Sequence, residues 1–281
     1  MLIQASKLQY PSLTCFLQYY RMADDRKAIV VGISGCSSSG KTTVSRLLRD
    51  IFPNTFVLHE DDFYRPEVEL PTKHNLLDWD CAGALSIPDI VKSLDHIRKA
   101  GTFPPDLDSK EDQNSVGECP VSEATIEELK ARVKTWALSG NRGFGVLDNS
   151  HKAVRLCVFD GFLLYSKSME AIQPYIDVKL FLRVSHEKAK ARREARSGYV
   201  TLEGFWEDPP GYVDKIVWPN YIEDHKWMFE NEDVEGELKD DILKDWNIKC
   251  QQGGLDIDME TTLKWAVETL MEQLPLSANG T

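Results

Sequence analysis

The sequence predicts an α/β protein in which a doubly wound parallel sheet carries helices on both faces. Two patterns support this fold class: short apolar segments typical of buried strands, and the alternation of these segments with helical spacing. Composition agrees, because 42% of the 281 residues are hydrophobic, enough for a sizeable core.

The first element is a continuous apolar run over residues 28–33, as in a strand buried on both faces of a sheet. After a Gly/Ser-rich turn, apolar residues recur at helical spacing at Val44, Leu47, Leu48 and Ile51. Further strands are predicted at 55–58, 154–159 and 178–184. Ligands of such folds bind beyond the carboxyl ends of the strands, so functional residues are expected there.

Residues 101–150 interrupt this alternation and are interpreted as an insertion rather than a second domain. Thr125 and Glu128 have the spacing of a capping box, which predicts one amphipathic helix, followed by a glycine-rich loop over 139–145. A last helix with an apolar face is predicted from Met259 to Leu274.

We expect one domain over residues 27–275, preceded by a disordered extension over 1–26 and followed by a tail over 276–281. The extension lacks the features of a secretory or mitochondrial signal. The six cysteines are scattered without a CxxC pair, which favours free thiols in a reducing compartment. A cytoplasmic monomer is expected, with the nucleus as an alternative compartment.

The net charge and the lengths of the apolar runs argue against two classes of partner. The chain has 33 basic and 45 acidic residues, a net charge of −12, which argues against nucleic acid as a partner. No apolar run approaches the roughly 18 residues of a membrane helix, so no membrane partner is expected either.

Residues 35–42 satisfy the pattern G-x-x-x-x-G-K-[ST], between a predicted buried strand and a predicted helix. In such a phosphate-binding loop (P-loop), backbone N–H groups and the helix dipole surround an anion. Lys41 is expected to reach the β- and γ-phosphates, and the Thr42 hydroxyl to bind Mg²⁺. The predicted nucleotide site comprises Gly35, Cys36, Ser37, Ser38, Ser39, Gly40, Lys41, Thr42 and Thr43.

Carboxylates follow two other predicted strands. Asp160 closes the third strand, in the position of the second metal-holding acid of P-loop enzymes. Asp61 and Asp62 follow the second strand, where a kinase needs a carboxylate to orient the acceptor hydroxyl. Because adjacent strand residues point to opposite sides, only one of the two is expected to face the loop.

A predicted basic helix carries Arg192, Arg193 and Arg196 within a lid segment over about 190–212. Arg192 and Arg196 would share one helical face, with Arg193 rotated by about 100°. This spacing predicts two arginines at the triphosphate and one at the acceptor. The guanine-specificity signature of GTPases is absent from the sequence, which favours a small-molecule kinase over a switch.

Several segments together resemble the nicotinamide riboside kinases, the fungal forms especially. They are residues 35–43, 59–64 (His-Glu-Asp-Asp-Phe-Tyr), 78–80 (Asp-Trp-Asp), 159–162 (Phe-Asp-Gly-Phe), 198–199 and 205–210. The resemblance runs from about residue 27 to the final helix, the insertion excepted. It implies ATP-dependent phosphorylation of the 5′-hydroxyl of nicotinamide riboside in NAD salvage, with Mg²⁺ and with GTP as an alternative donor.

The resemblance also implies roles for single residues. Asp61 becomes the catalytic base, Asp80 the ribose ligand, and Trp79 and Tyr199 the rings that stack on the base. Arg193 would contact the acceptor, and Arg192 and Arg196 ATP. The implied substrate site also includes Asp62, Phe63, Tyr64 and Val200. Lys41 joins Asp61 in catalysis, and the implied metal site comprises Thr42, Asp61 and Asp160.

The charge of the substrate fits this interpretation. The pyridinium ring of nicotinamide riboside carries a fixed positive charge, which an aromatic face stabilises by about 0.5–2 kcal/mol. A neutral uracil would instead require hydrogen-bonding groups at its polar edges. Two alternatives remain open: a uridine/cytidine kinase, and a regulatory module that binds ATP without transferring phosphate.

Overall fold

The computed structural model describes residues 26–109, 117–138, 154–196, 198–201 and 204–278. For residues 199–201 and 275–278 it describes the backbone alone. The predicted extension, apart from residue 26, and the predicted glycine-rich loop lie outside the described residues.

Nine strands and seven α-helices are described. The strands are β1 (Ala28–Gly35), β2 (Thr55–His59), β3 (Thr72–Lys73), β4 (Leu76–Leu77), β5 (Arg155–Asp160), β6 (Val178–Leu182), β7 (Tyr199–Thr201), β8 (Gly204–Trp206) and β9 (Ile248–Cys250). The helices are α1 (Lys41–Ile51), α2 (Ile87–Ala100), α3 (Glu123–Trp136), α4 (His186–Glu194), α5 (Trp218–His225), α6 (Asp240–Asp245) and α7 (Met259–Ala278). A 3₁₀ turn (Glu60–Phe63) follows β2, and a π-helical segment (Val213–Val217) precedes α5.

The central sheet has the order β2-β5-β1-β6-β9, and all its strands are parallel. Its register places Asp160 beside both Ile33 and His59, so the carboxyl ends of β1, β2 and β5 meet at one edge. The four predicted strands are confirmed, although β6 ends at Leu182. The edge strand β9 was not predicted, because three residues are too few to form an apolar run.

Helices cover both faces of the sheet, which confirms the doubly wound architecture. On one face, apolar residues of α1, α3 and α7 pack against the strands. On the other, α2 and α5 contribute to a second core. Two layers of helices therefore enclose the sheet, which leaves its edges and strand ends for binding.

The helix predicted in the insertion is α3, but its cap differs from the prediction. The Ser122 side chain accepts a hydrogen bond from the Thr125 backbone N–H at 3.2 Å, so Ser122 is the N-cap. Thr125 lies buried inside the first turn instead. The predicted capping box at Thr125 and Glu128 is therefore wrong, because the helix begins one turn earlier. At the other end of the chain, α7 continues past Leu274 to Ala278.

A smaller apolar cluster lies apart from the two sheet cores. We call it the third cluster; its buried members are Leu70, Trp79, Ala84, Tyr212, Val213, Ile216 and Val217. It joins the segment around the β3–β4 hairpin to the residues that follow β8. Among the described residues, no helix combines the length and apolar character needed to span a membrane.

Candidate active site

The P-loop connects β1 to α1 through a tightly turned backbone. Ser38 and Gly40 have φ angles of 64° and 98°, left-handed conformations that turn the chain sharply. At Gly35 a Cβ atom would lie 2.2 Å from the Leu182 carbonyl oxygen, so only glycine fits beside β6. Lys41 begins α1, and its ammonium group donates a hydrogen bond to the Cys36 carbonyl at 3.0 Å. This hydrogen bond holds the Lys41 side chain against the P-loop.

A cleft lies at the carboxyl edge of the sheet, with about 930 Å³ of space, part of it open to solvent. It brings together the P-loop, the ends of β2 and β5, and the region of the predicted lid. Its lining residues are Ser37, Ser38, Gly40, Lys41, Thr42, Thr43, His59, Asp61, Tyr64, Trp79, Asp80, Asp160, Gly161, Phe162, Arg193, Arg196 and Trp206. Most residues that the sequence analysis assigned to the site therefore line one cleft.

Asp160 lies buried at the end of β5, where its Oδ2 atom is 3.2 Å from Nδ1 of His59. Burial alone would raise the pKa of Asp160, but the hydrogen bond and charge of His59 outweigh it, and Lys41 and Thr42 act in the same direction. The pKa consequently lies below its ordinary value, and the carboxylate stays ionised. His59 was missed as a site residue, although it stands in the 59–64 segment.

Asp61 and Asp62 lie in the 3₁₀ turn rather than in a strand. Asp61 is half-buried and lines the cleft. Asp62 and Phe63 instead line a separate cavity against α2. The turn, not strand alternation, separates the two aspartates, and it leaves Asp61 facing the P-loop.

Glu60, the first residue of this turn, is fully buried and was not predicted as a site residue. Its Oε2 atom accepts hydrogen bonds from the backbone N–H groups of Phe162, at 2.7 Å, and Leu163, at 3.1 Å. Burial raises the pKa of Glu60 to about 8. A Cβ atom at Gly161 would lie 2.7 Å from Glu60 Oε2. Through these two hydrogen bonds, Glu60 connects the turn that contains Asp61 to the segment that follows Asp160.

Aromatic rings form one wall of the cleft. The rings of Trp79 and Trp206 lie 5.5 Å apart at 51°, and Tyr64 meets Trp79 edge to face at 5.2 Å. Phe162 stacks on Tyr64 with centroids 6.5 Å apart. Trp79 is only 7% exposed, because it also belongs to the third cluster. Trp206 stands in the family motif over 205–210, but it was not predicted as a site residue.

Tyr199 and Val200 were expected on this wall, and their side chains lie outside the described residues. Their backbone forms β7, which pairs with β8 so that Tyr199 stands opposite Trp206. The predicted second stacking ring and Trp206 therefore belong to one hairpin.

Arg193 is 7% exposed and joins three segments of the site. It forms a bidentate pair with Asp80, Nη1 to Oδ1 at 2.7 Å and Nη2 to Oδ2 at 3.0 Å. It also donates to both oxygens of Asp208, at 2.6 and 3.2 Å, and to Ser37 Oγ at 2.9 Å. Burial raises the pKa of Asp80, and the Arg193 guanidinium opposes that rise. We call these four residues the Arg193 cluster.

The three arginines are divided differently from the prediction. Arg192 donates to the Ser38 carbonyl at 3.1 Å and lines a separate recess with Ser39 and Gln251. Arg196 lines the cleft together with Arg193. The expected shared face of Arg192 and Arg196 is absent, because α4 ends at Glu194, before Arg196.

Cys36 is part of the P-loop, but its side chain packs into the core rather than lining the cleft. Burial raises the pKa of its thiol to about 12. The thiol is therefore protonated at neutral pH, and the residue contributes its backbone to the loop.

Three residues from different segments of the cleft fit a magnesium ion. Thr42, Asp61 and Asp160 line the same cleft, and Oδ1 of Asp160 is buried without a hydrogen-bond partner among the described residues. No group of three His, Cys, Asp or Glu side chains that could hold a metal occurs in the described part of the chain. Such a site suits Mg²⁺, which takes few protein ligands and completes its shell with phosphate oxygens and water.

A P-loop that shares one cleft with a carboxylate and an aromatic wall defines a small-molecule kinase of the P-loop class. No family model matches the chain. The chain is 35% identical over 250 residues to nicotinamide riboside kinase of Schizosaccharomyces pombe, covering 89% of this chain and 99% of the relative. It is 34% identical over 254 residues to that of Saccharomyces cerevisiae, covering 88% and 97%. The chain belongs to the nicotinamide riboside kinase family.

Proposed function

We propose that this chain transfers the γ-phosphoryl group of ATP to the 5′-hydroxyl of nicotinamide riboside, giving nicotinamide mononucleotide for NAD salvage. The observation that carries the proposal is one cleft lined by the P-loop, by Asp61 and by the Trp79–Trp206 pair. Membership of the kinase family supports both the reaction and the acceptor.

On the donor side, the P-loop amides bind the β- and γ-phosphates, and Lys41 and Arg196 neutralise charge that develops during transfer. The recess beside Arg192 lies next to the same loop, so we place the purine ring of ATP or, as an alternative donor, GTP against this side of the P-loop. Thr42, Asp61 and Asp160 would hold Mg²⁺, which would neutralise part of the charge on the phosphates.

On the acceptor side, Asp80 orients the ribose. An ionised carboxylate has about four acceptor positions, and Arg193 fills one on each Asp80 oxygen, which leaves acceptor positions for ribose hydroxyl groups. Trp79 and Trp206 bind the pyridinium ring, whose positive charge is attracted to their faces. Asp61 lines the cleft and accepts the proton of the 5′-hydroxyl as that oxygen attacks phosphorus.

We propose that the monomer is sufficient for activity, because the P-loop, Asp61 and the Trp79–Trp206 pair already meet in a cleft within a single subunit. The fully buried thiols of Cys36 and Cys157 fit a reducing compartment such as the cytoplasm.

A panel of nucleosides with labelled ATP tests the proposal. We expect labelled nicotinamide mononucleotide, and a kcat/KM for nicotinamide riboside at least 100-fold above that for uridine or cytidine, since an aromatic wall alone does not bind a uracil edge. A higher kcat/KM for uridine would assign the chain to the alternative kinase class. Release of ADP without any phosphorylated nucleoside would support the regulatory module instead.

A further inference from the structure

Arg193 has no N–H group left for a ligand in this arrangement. The guanidinium has five N–H donors, and its five hydrogen bonds go to Asp80, Asp208 and Ser37. Arg193 also lies over the ring of Tyr212, 5.5 Å from its centroid. Its described contacts therefore position protein groups, and its effect on an acceptor passes through Asp80 and Asp208.

Asp208 joins the Arg193 cluster to the aromatic wall. The Oδ1 atom that accepts from Arg193 Nη2 also accepts the indole Nε1–H of Trp206 at 3.0 Å. One carboxylate thus accepts hydrogen bonds from both Arg193 and Trp206, which fixes the Trp206 ring relative to α4. A carboxylate at the indole N–H also makes the face of the ring more negative, which strengthens its attraction for a cation.

The charges of the cluster do not balance. Asp80 and Asp208 together carry two negative charges against the single positive charge of Arg193, so the cluster is negative overall. The Asp208 side chain is 16% exposed and that of Asp80 is 5% exposed, so solvent screens this charge only weakly. Loss of the Asp208 charge would leave an Arg193–Asp80 pair of zero net charge beside the aromatic wall.

We propose that Asp208 is a positioning residue that makes the cleft prefer a cationic nucleoside, by orienting Trp206 and by keeping the Arg193 cluster negative. This inference rests on the proposed function, because it concerns the ring bound between Trp79 and Trp206. Asp208 affects the bound ring through Trp206 and Arg193, to which it is hydrogen-bonded.

The test compares two nucleosides that differ in ring charge: nicotinamide riboside and its neutral reduced form, 1,4-dihydronicotinamide riboside. Asp208→Asn keeps the size of the side chain and the oxygen that accepts from Trp206, but removes the charge and the acceptor for Arg193 Nε. We expect it to weaken binding of nicotinamide riboside about five- to thirty-fold, in the range of one strong cation–π contact. Binding of the neutral form should change less than twofold, measured by isothermal titration calorimetry.

Equal losses for the two nucleosides would show a merely structural role and overturn the proposal, as would unchanged affinity for nicotinamide riboside. Glu207→Gln is the matched control, since it removes the same charge from the exposed neighbouring residue, and it should leave both affinities unchanged. Asp208→Glu, which restores the charge, should recover part of the cation preference. Absence of turnover of nicotinamide riboside by the unmodified chain would refute the proposed function separately, whatever the Asp208 variants bind.

Discussion

Trp206→Ala tests the aromatic wall with little risk to the fold. Trp206 is half-buried in a short hairpin, and its ring faces Trp79 at 5.5 Å. Trp79 is a poorer target, because it is buried in the third cluster and its truncation would cost about 3–5 kcal/mol of unfolding free energy. A loss of binding in Trp206→Ala can therefore be attributed to the cleft.

The expected size follows from one lost cation–π contact. A contribution of about 0.5–2 kcal/mol corresponds to a KM for nicotinamide riboside that rises about 2- to 30-fold. Stacking holds the ground state and the transition state equally, so kcat should change less than twofold. The KM for ATP should stay constant, because Trp206 does not line the recess beside Arg192.

Steady-state kinetics with an ADP-coupled assay measures both constants. Phe205→Ala is a close control, since Phe205 precedes Trp206 in the same strand and is 63% exposed. The interpretation fails if KM rises less than twofold, if kcat falls at constant KM, or if Phe205→Ala has the same effect.

Three further predictions concern catalysis and stability. Asp61→Asn should lower kcat at least 100-fold while calorimetry still detects ATP binding, whereas Asp62→Asn, which faces another cavity, should keep kcat within about threefold. Gly161→Ala places a Cβ atom as close as 2.5 Å to its neighbours and should lower the unfolding free energy by about 1–3 kcal/mol in urea; Gly117→Ala, with open space around it, should change it by less than about 0.5 kcal/mol. Burial lowers the pKa of His225 from 6.5 to about 4, so its contribution to stability is complete above pH 6.5 and falls as pH drops from 6.5 to 4. Up to about 3 kcal/mol of acid destabilisation should disappear in His225→Phe, measured by urea unfolding across that pH range.

The parts of the site that lie next to each other in the chain could be predicted from sequence. The P-loop is one example, because a single strand–turn–helix unit contains every group that it needs. The sheet is another, since buried parallel strands leave continuous apolar runs. Both depend on local patterns, which tertiary contacts leave largely unchanged.

The remaining features depend on where an element ends or on contacts between distant segments. The faces of Asp61 and Asp62 could not be derived by strand alternation, because the chain has already entered a 3₁₀ turn. Arg196 could not be placed by helical spacing, because α4 ends two residues before it. The pairing of Trp206 with Trp79 joins segments far apart in sequence. Its only sequence signal was a tryptophan two residues before Asp208 in a quoted motif.

The third cluster gives the aromatic wall of the cleft an apolar interior of its own. Trp79 and Tyr212 are anchored there, whereas Cys36 of the P-loop packs into one of the two cores of the sheet. Under the proposed function, substitutions within this interior can reshape the aromatic wall, while the core that supports the P-loop stays unchanged. Arg193, which lies over Tyr212 and donates to Ser37, is then the described link through which a change in this interior would reach the P-loop.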